Sequence, residues 1–331
     1  MKIVLFLVAL LLCSGMASSQ TRQDEKSVRA EIDRQTADLW EAGDFAHLEK
    51  LSTEYRNSKA RTPSGIWKLT QFYDALQTQV SKKTAAREWW EQMESRATSW
   101  SKQFPASPSA HLQYAEIIFA RAWSVRGNGF SRSLSADQSR GFKEQVARGR
   151  AYFDKHKTVA ARDPRWYELM LKVATWESWK EDDAMLLINE AVAREPEFWQ
   201  TYFSAAEYFS PLWNGDAAKL ERFANYAANR AGGSDGDALY ARIYWWSANR
   251  YFKRRFSESM IDCERMMRGV DRLTLTNPDP WNINHFAGFA VSCGDKTRAK
   301  VLFSKIGDNP DLDAWNNSMG TFTRFRAWAM E

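Results

Sequence analysis

Apolar residues recur along this chain at steps of three and four, the spacing of one helix face, and almost nowhere alternate as in a strand. Leu39 and Trp40, then Leu48, Leu51 and Tyr55, mark two short amphipathic helices broken at Gly43-Asp44. Thr62-Pro63-Ser64-Gly65 predicts the start of a third, because threonine caps a helix and proline is tolerated in its first turn; its face carries Trp67, Tyr73 and Leu76. A fourth runs through Trp89, Trp90, Met93, Ala97, Trp100 and Phe104 to a stop at Pro105, and a fifth from near Ser109 to Trp123. Residues 127–140 read as the one long loop, with helix resuming near Gly141.

Beyond that loop the breaks become regular. Pro164 and Pro196 enclose one interval, Pro278 and Pro310 repeat it, and Gly232-Gly233 supplies a break between. Each interval holds two helical stretches, and a single hairpin cannot bury its own apolar face. Gly-Asp recurs at residues 43–44, 215–216 and 294–295. Glycine there takes the left-handed conformation that ends one helix, and aspartate caps the next. The expected fold is all-α: a right-handed α-solenoid of antiparallel hairpins in one domain, with N-terminal helices over 20–126, the loop 127–140 and repeat-like hairpins over 141–331.

The N-terminus changes the picture of where this happens. Lys2, an apolar run over residues 3–12, and Ala17 and Ser19 at the small positions before Gln20 predict a signal peptide over 1–19. The run is shorter than the roughly 20 residues a membrane span needs. A lipid anchor at Cys13 is disfavoured by the large Leu12 before it. The expectation is a periplasmic or secreted protein with no transmembrane segment. Net charge is only +5 over 331 residues, which gives no reason to expect a nucleic-acid partner. Sixteen tryptophans, 11 tyrosines and 19 phenylalanines against 16 glycines and 9 prolines imply long helices with large side chains between them. In an oxidising compartment Cys263 and Cys293 are either bridged or two buried thiols.

Ala184, Ile188, Ala191 and Pro196, and again Gly294, Ala299, Phe303 and Ile306, resemble the second helix of the tetratricopeptide repeat. Lys172 and Thr175 depart from that family's first helix, where Gly and Tyr are usual. Residues 62–69 (TPSGIWKL), 104–108 (FPASP), Ala122-Trp123 with 126–129 (RGNG), and 284–290 with Gly294-Asp295 are similar to an exported bacterial family known as domain of unknown function 4034. The first resemblance implies a surface for a protein or peptide partner. The second implies a bacterial envelope protein and brings no catalytic residue.

Candidate chemistry is sparse. His47, His111, His156 and His285 are scattered, and neither HExxH nor paired CxxC occurs, so no metal and no cofactor is expected. GxSxG is missing, and the SxxK spacing of Ser99 and Lys102 lacks its companion motifs. Glu177 between Trp176 and Trp179, or Asp182 and Asp183, offer carboxylates for glycan cleavage. The competing reading, acids at a helix start, is simpler for the aspartates. For binding, the candidates are four. Trp90 and Trp245 each belong to a Trp-Trp pair that cannot share one narrow helix face. Arg126 precedes a glycine-rich turn, and Arg254 lies in the basic cluster with Arg250, Lys253 and Arg255. With no catalytic residue singled out, the sequence reads as an exported helical-repeat binding or scaffolding module. The alternative is a glycan-active enzyme or glycan-binding protein on the same scaffold.

Overall fold

The computed structural model describes residues 23–81, 86–127, 134–252 and 256–331, without the side chains of Asn249 and Ser257. Residues 1–19, expected from sequence to be a signal peptide, and Arg254 lie outside the described residues. The fold is all-α. In order the helices are α1 (Glu25–Ala42), α2 (Phe45–Ser58), α3 (Lys68–Val80), α4 (Arg87–Gln103), α5 (Pro108–Arg126), α6 (Ala136–Ala160), α7 (Arg165–Trp176) and α8 (Glu181–Arg194). They continue with α9 (Trp199–Tyr208), α10 (Ala217–Ala231), α11 (Gly233–Tyr251), α12 (Cys263–Thr276), α13 (Pro280–Ser292), α14 (Lys296–Ile306) and α15 (Met319–Met330).

Local chemistry sets most of these boundaries. Asp24, Asp44, Ser107, Asp216, Asp262, Asp295 and Ser318 each accept a hydrogen bond from a backbone N–H of the helix they precede. Two expectations shift. Residues 62–65 do not start a helix: Thr62 and Ile66 share a backbone hydrogen bond across a tight turn, Arg61 bridges to Trp67, and α3 begins only at Lys68. The loop over 127–140 is shorter than expected, because Ser135 and Gln138 cap each other and start α6 at Ala136. The three Gly-Asp corners are also not alike. Gly43 and Gly294 sit at φ 70°, as a left-handed helix end requires. Gly215 does not; there a Cβ would stand 2.0 Å from the Phe209 carbonyl oxygen, so close approach excludes a side chain.

Helices pair with their sequence neighbours as antiparallel hairpins, and the hairpins stack in series. The odd-numbered helices run side by side, α1 on α3, α3 on α5, α5 on α7, α7 on α9 and α9 on α11. Trp245 of α11 then meets Phe286 of α13 at 5.5 Å. Finally α13 touches α1, so the series returns to its beginning. From α3 to α11 the odd helices are the more deeply buried set. In α7 only Lys172 and Trp176 escape full burial, whereas α4 buries only Trp90, Ala97 and Trp100. Alongside them α4, α6, α8, α10 and α12 form a less buried outer layer.

The seam that closes the circuit is polar. Glu25 is buried at the start of α1, where its carboxylate accepts the Ser64 N–H at 2.7 Å and the Thr62 hydroxyl at 3.1 Å. Its own N–H donates to Asp279 at 3.1 Å. The Ser64 carbonyl accepts from Arg242 of α11 and, at 3.1 Å, from Asn282 of α13. Arg242 is enclosed between the rings of Trp199 and Trp245, 4.8 and 4.9 Å from their centroids. Burial pulls its pKa down from the ordinary arginine value, and the neighbouring Glu25 charge opposes that shift. Cys263 at the head of α12 and Cys293 just past the end of α13 are joined as a disulfide that ties the two helices together, with a Cα–Cα distance of 5.6 Å.

Candidate functional site

The C-terminal halves of α3, α5, α7 and α9 surround a recess of about 580 Å³. That volume falls within the roughly 300–1,000 Å³ of small-ligand pockets. Its wall is aromatic on one side: Phe119, Trp123 and Trp176, with Trp90 contributed by α4. Trp123 and Trp176 stand 5.8 Å apart at 75°, and Trp213, from the turn after α9, meets Trp123 edge-on at 6.3 Å. Trp123, Trp176 and Trp213 each keep part of their surface exposed. Tryptophan at such a corner gives a ligand a large apolar surface at little cost in side-chain ordering.

The other side is ionic. Lys172 lies one turn before Trp176 on α7, and Glu207 enters from α9 in a helix otherwise rich in apolar and small residues. Behind them the buried Arg165 guanidinium donates to Glu168 at 2.8 Å through one nitrogen and to Glu116 at 3.0 and 3.1 Å through another. Lys172 also pairs with Glu168 at 3.0 Å. Burial by itself would raise the Glu168 pKa, but the Arg165 and Lys172 charges hold it below its ordinary value. Glu207 goes the other way. Burial raises it, and the opposing charges of Lys172 and Arg250 do not fully offset that.

Asp74 sits one turn before Gln77 on α3, 3.8 Å from Arg165. The surrounding protein mass pushes its pKa up to about 6 against the pull of Arg165. Yet 45% of its side-chain surface is accessible, so water reaches this carboxyl. Carboxyls held ionised and carboxyls biased toward protonation thus stand within one cluster, a pattern that marks functional sites more often than surfaces.

Of the residues singled out from sequence, two belong here. Trp90 is 3% exposed, packs edge-on against Trp89 at 4.6 Å, and forms part of the recess wall. Arg126 lies at the rim, its guanidinium 4.8 Å from the Trp123 ring. Trp245 is elsewhere, between α11 and α13, 4.8 Å from His285 and close to Arg242. Glu177 is engaged by the Trp179 ring N–H at 2.9 Å and by Arg150 at 3.4 Å. Asp182 and Asp183 are exposed in the first turn of α8, the simpler placement. Ser99 and Lys102 are exposed on α4, and the Ser99 hydroxyl donates to the Ser95 carbonyl. Among the described residues no group of three His, Cys, Asp or Glu side chains is arranged to hold a metal, and no helix is long and apolar enough to cross a membrane.

Sequence reasoning did not bring together Glu116, Lys172 and Glu207. The signal that marks them is a charge embedded in an otherwise apolar inner helix, where a surface residue would have charged neighbours. Comparison with protein-family models, with curated proteins and with solved structures found no match for this chain.

Proposed function

We propose that this protein is an exported binding protein of the bacterial envelope that takes a small organic ligand into the recess between its inner helices. One observation carries the reading. With α1 seated on α13, the inner helices enclose their concave side, and partly exposed Trp123 and Trp176 face an ordered set of charges there. A concave pocket with aromatic walls and a few fixed polar groups is how proteins hold small ligands. Its export and its kinship with domain of unknown function 4034 are part of the same proposal, supported by residues 1–19 and by the motifs quoted above.

A scaffold for protein partners is the second reading, supported by the serial hairpins. It places partners along an extended concave face, which a 580 Å³ recess is too small to offer to a folded protein. Native mass spectrometry separates the two. Protein incubated with a bacterial small-molecule extract should carry a small adduct that Ala120→Trp, which adds bulk to the recess wall, abolishes. Absence of any adduct, together with a protein partner insensitive to Ala120→Trp, would establish the scaffold instead.

A further inference from the structure

We infer that the ligand is a neutral, polyhydroxylated molecule, a carbohydrate, which lies against Trp123 and Trp176 and hydrogen-bonds to Glu207. The inference rests on the small-ligand reading and specifies its class.

The first argument is charge balance. Glu116 and Glu168 share Arg165, and Glu168 also has Lys172. Glu207 lies within the field of Lys172 and Arg250, and Arg126 stands at the rim. An anion entering the recess meets Glu116 and Glu207; a cation meets Lys172 and the arginines. Neither finds a site of one sign. A hydroxyl suits this mixture because it both donates, here to a carboxylate, and accepts, here from an ammonium.

The second argument is shape. Sugar rings carry apolar C–H patches bordered by hydroxyls, so they need an aromatic surface flanked by polar groups. The corner formed by Trp123 and Trp176 supplies the first. Glu207 and Lys172 across the recess, with Gln77 and Ser124 also in its lining, supply the second. A peptide bound as an added strand would require backbone donors or acceptors in extended register, and the inner helices have already spent theirs on their own hydrogen bonds.

Isothermal titration of the full chain tests this with defined probes: chitotriose, cellotriose and maltotriose as neutral glycans, spermidine as a cation, citrate as an anion and trialanine as a peptide. At least one trisaccharide should bind, and Trp176→Ala should weaken it roughly tenfold or more. Trp176→Ala also removes packing against Phe119, so its melting curve is recorded alongside. Ser124→Trp, which fills the recess from a half-buried position, should block the same trisaccharide without that loss. Binding of spermidine, citrate or trialanine alone, blocked by Ser124→Trp, would overturn the carbohydrate assignment and leave the small-ligand reading standing. A trisaccharide that binds regardless of Ser124→Trp would overturn the site. If no probe binds, the carbohydrate inference fails, and the adduct experiment above decides the broader reading separately.

Discussion

Asn282 donates its side-chain amide to the Ser64 carbonyl at 3.1 Å, tying the turn before α3 to the thirteenth helix. Arg242 donates to the same oxygen, and Gly65 beside it lies so close to Asn277 that an added Cβ would stand 2.9 Å from the amide oxygen. The seam is therefore specified by hydrogen bonds and close fit, as the α5–α7 junction is by the Arg165–Glu116 ion pair. Arg242→Ala should cost about 2–4 kcal/mol in urea unfolding, because it removes a buried donor and the cation between two indoles. Hydrogen exchange should then accelerate in α1 before it does in α7. Unchanged α1 protection would refute the clasp.

The disulfide between α12 and α13 makes a second prediction. Cys263 and Cys293 are separated by 30 residues, and a loop of that length implies about 3–4 kcal/mol of stabilisation on the chain-entropy account. Replacing both by serine should lower the unfolding free energy by that order. Thiol titration of the denatured, unreduced chain lacking residues 1–19 should find no free cysteine. One or two free thiols would contradict the bridge.

Asp74 predicts a pH effect whose sign runs against the usual carboxylate. Its folded pKa is about 6 against an ordinary 3.8, so the folded state binds the proton more tightly than the unfolded chain. Ionised Asp74 thus costs stability at neutral pH, and the cost disappears as pH falls from about 6 toward 3.8. Solvent reaches the side chain, which reduces the magnitude to about 1 kcal/mol. Asp74→Asn should stabilise the protein by that amount at pH 7 and be neutral near pH 4. A stabilisation independent of pH would point to packing instead.

Two glycine corners that look identical in sequence should respond differently. Gly43→Ala meets open space and carries only the left-handed backbone penalty, about 1 kcal/mol. Gly215→Ala drives a methyl into the Phe209 carbonyl and should cost about 3 kcal/mol. Equal melting shifts for the two variants would show that the Phe209 contact yields easily.

The tryptophan pair on α4 offers a comparison within one helix. Trp90, 3% exposed, should cost about 3–5 kcal/mol when replaced by alanine. The partly exposed Trp89 should cost clearly less. Comparable losses would mean that both rings are core.

Helix positions and hairpin pairing were legible because they depend on local signals: apolar period, capping aspartates and Gly-Asp corners. Closure was not. Glu25, Ser64, Arg242 and Asn282 are unremarkable polar residues far apart in sequence, and no periodic pattern shows that they meet. The recess is intermediate. Trp90 and Arg126 pointed to it, but Glu116, Lys172 and Glu207 become a group only once three inner helices lie side by side. The tandem tryptophans at 245 and 246 gave a signal as strong as that at 90, yet Trp245 packs on α13 beside Arg242. Aromatic pairing alone does not distinguish a ligand wall from a helix junction.

A polypeptide is made from its amino end, and here that order matters. The turn holding Ser64 is synthesised long before Asp279, Asn282 and Arg242 exist, so its carbonyl and the Glu25 backbone N–H must stay hydrated while most of the molecule is still being assembled. Hairpins in the middle can form as they emerge. The last junction to form is then the first one translated, and a chain interrupted before its thirteenth helix would be left with an open edge at both ends.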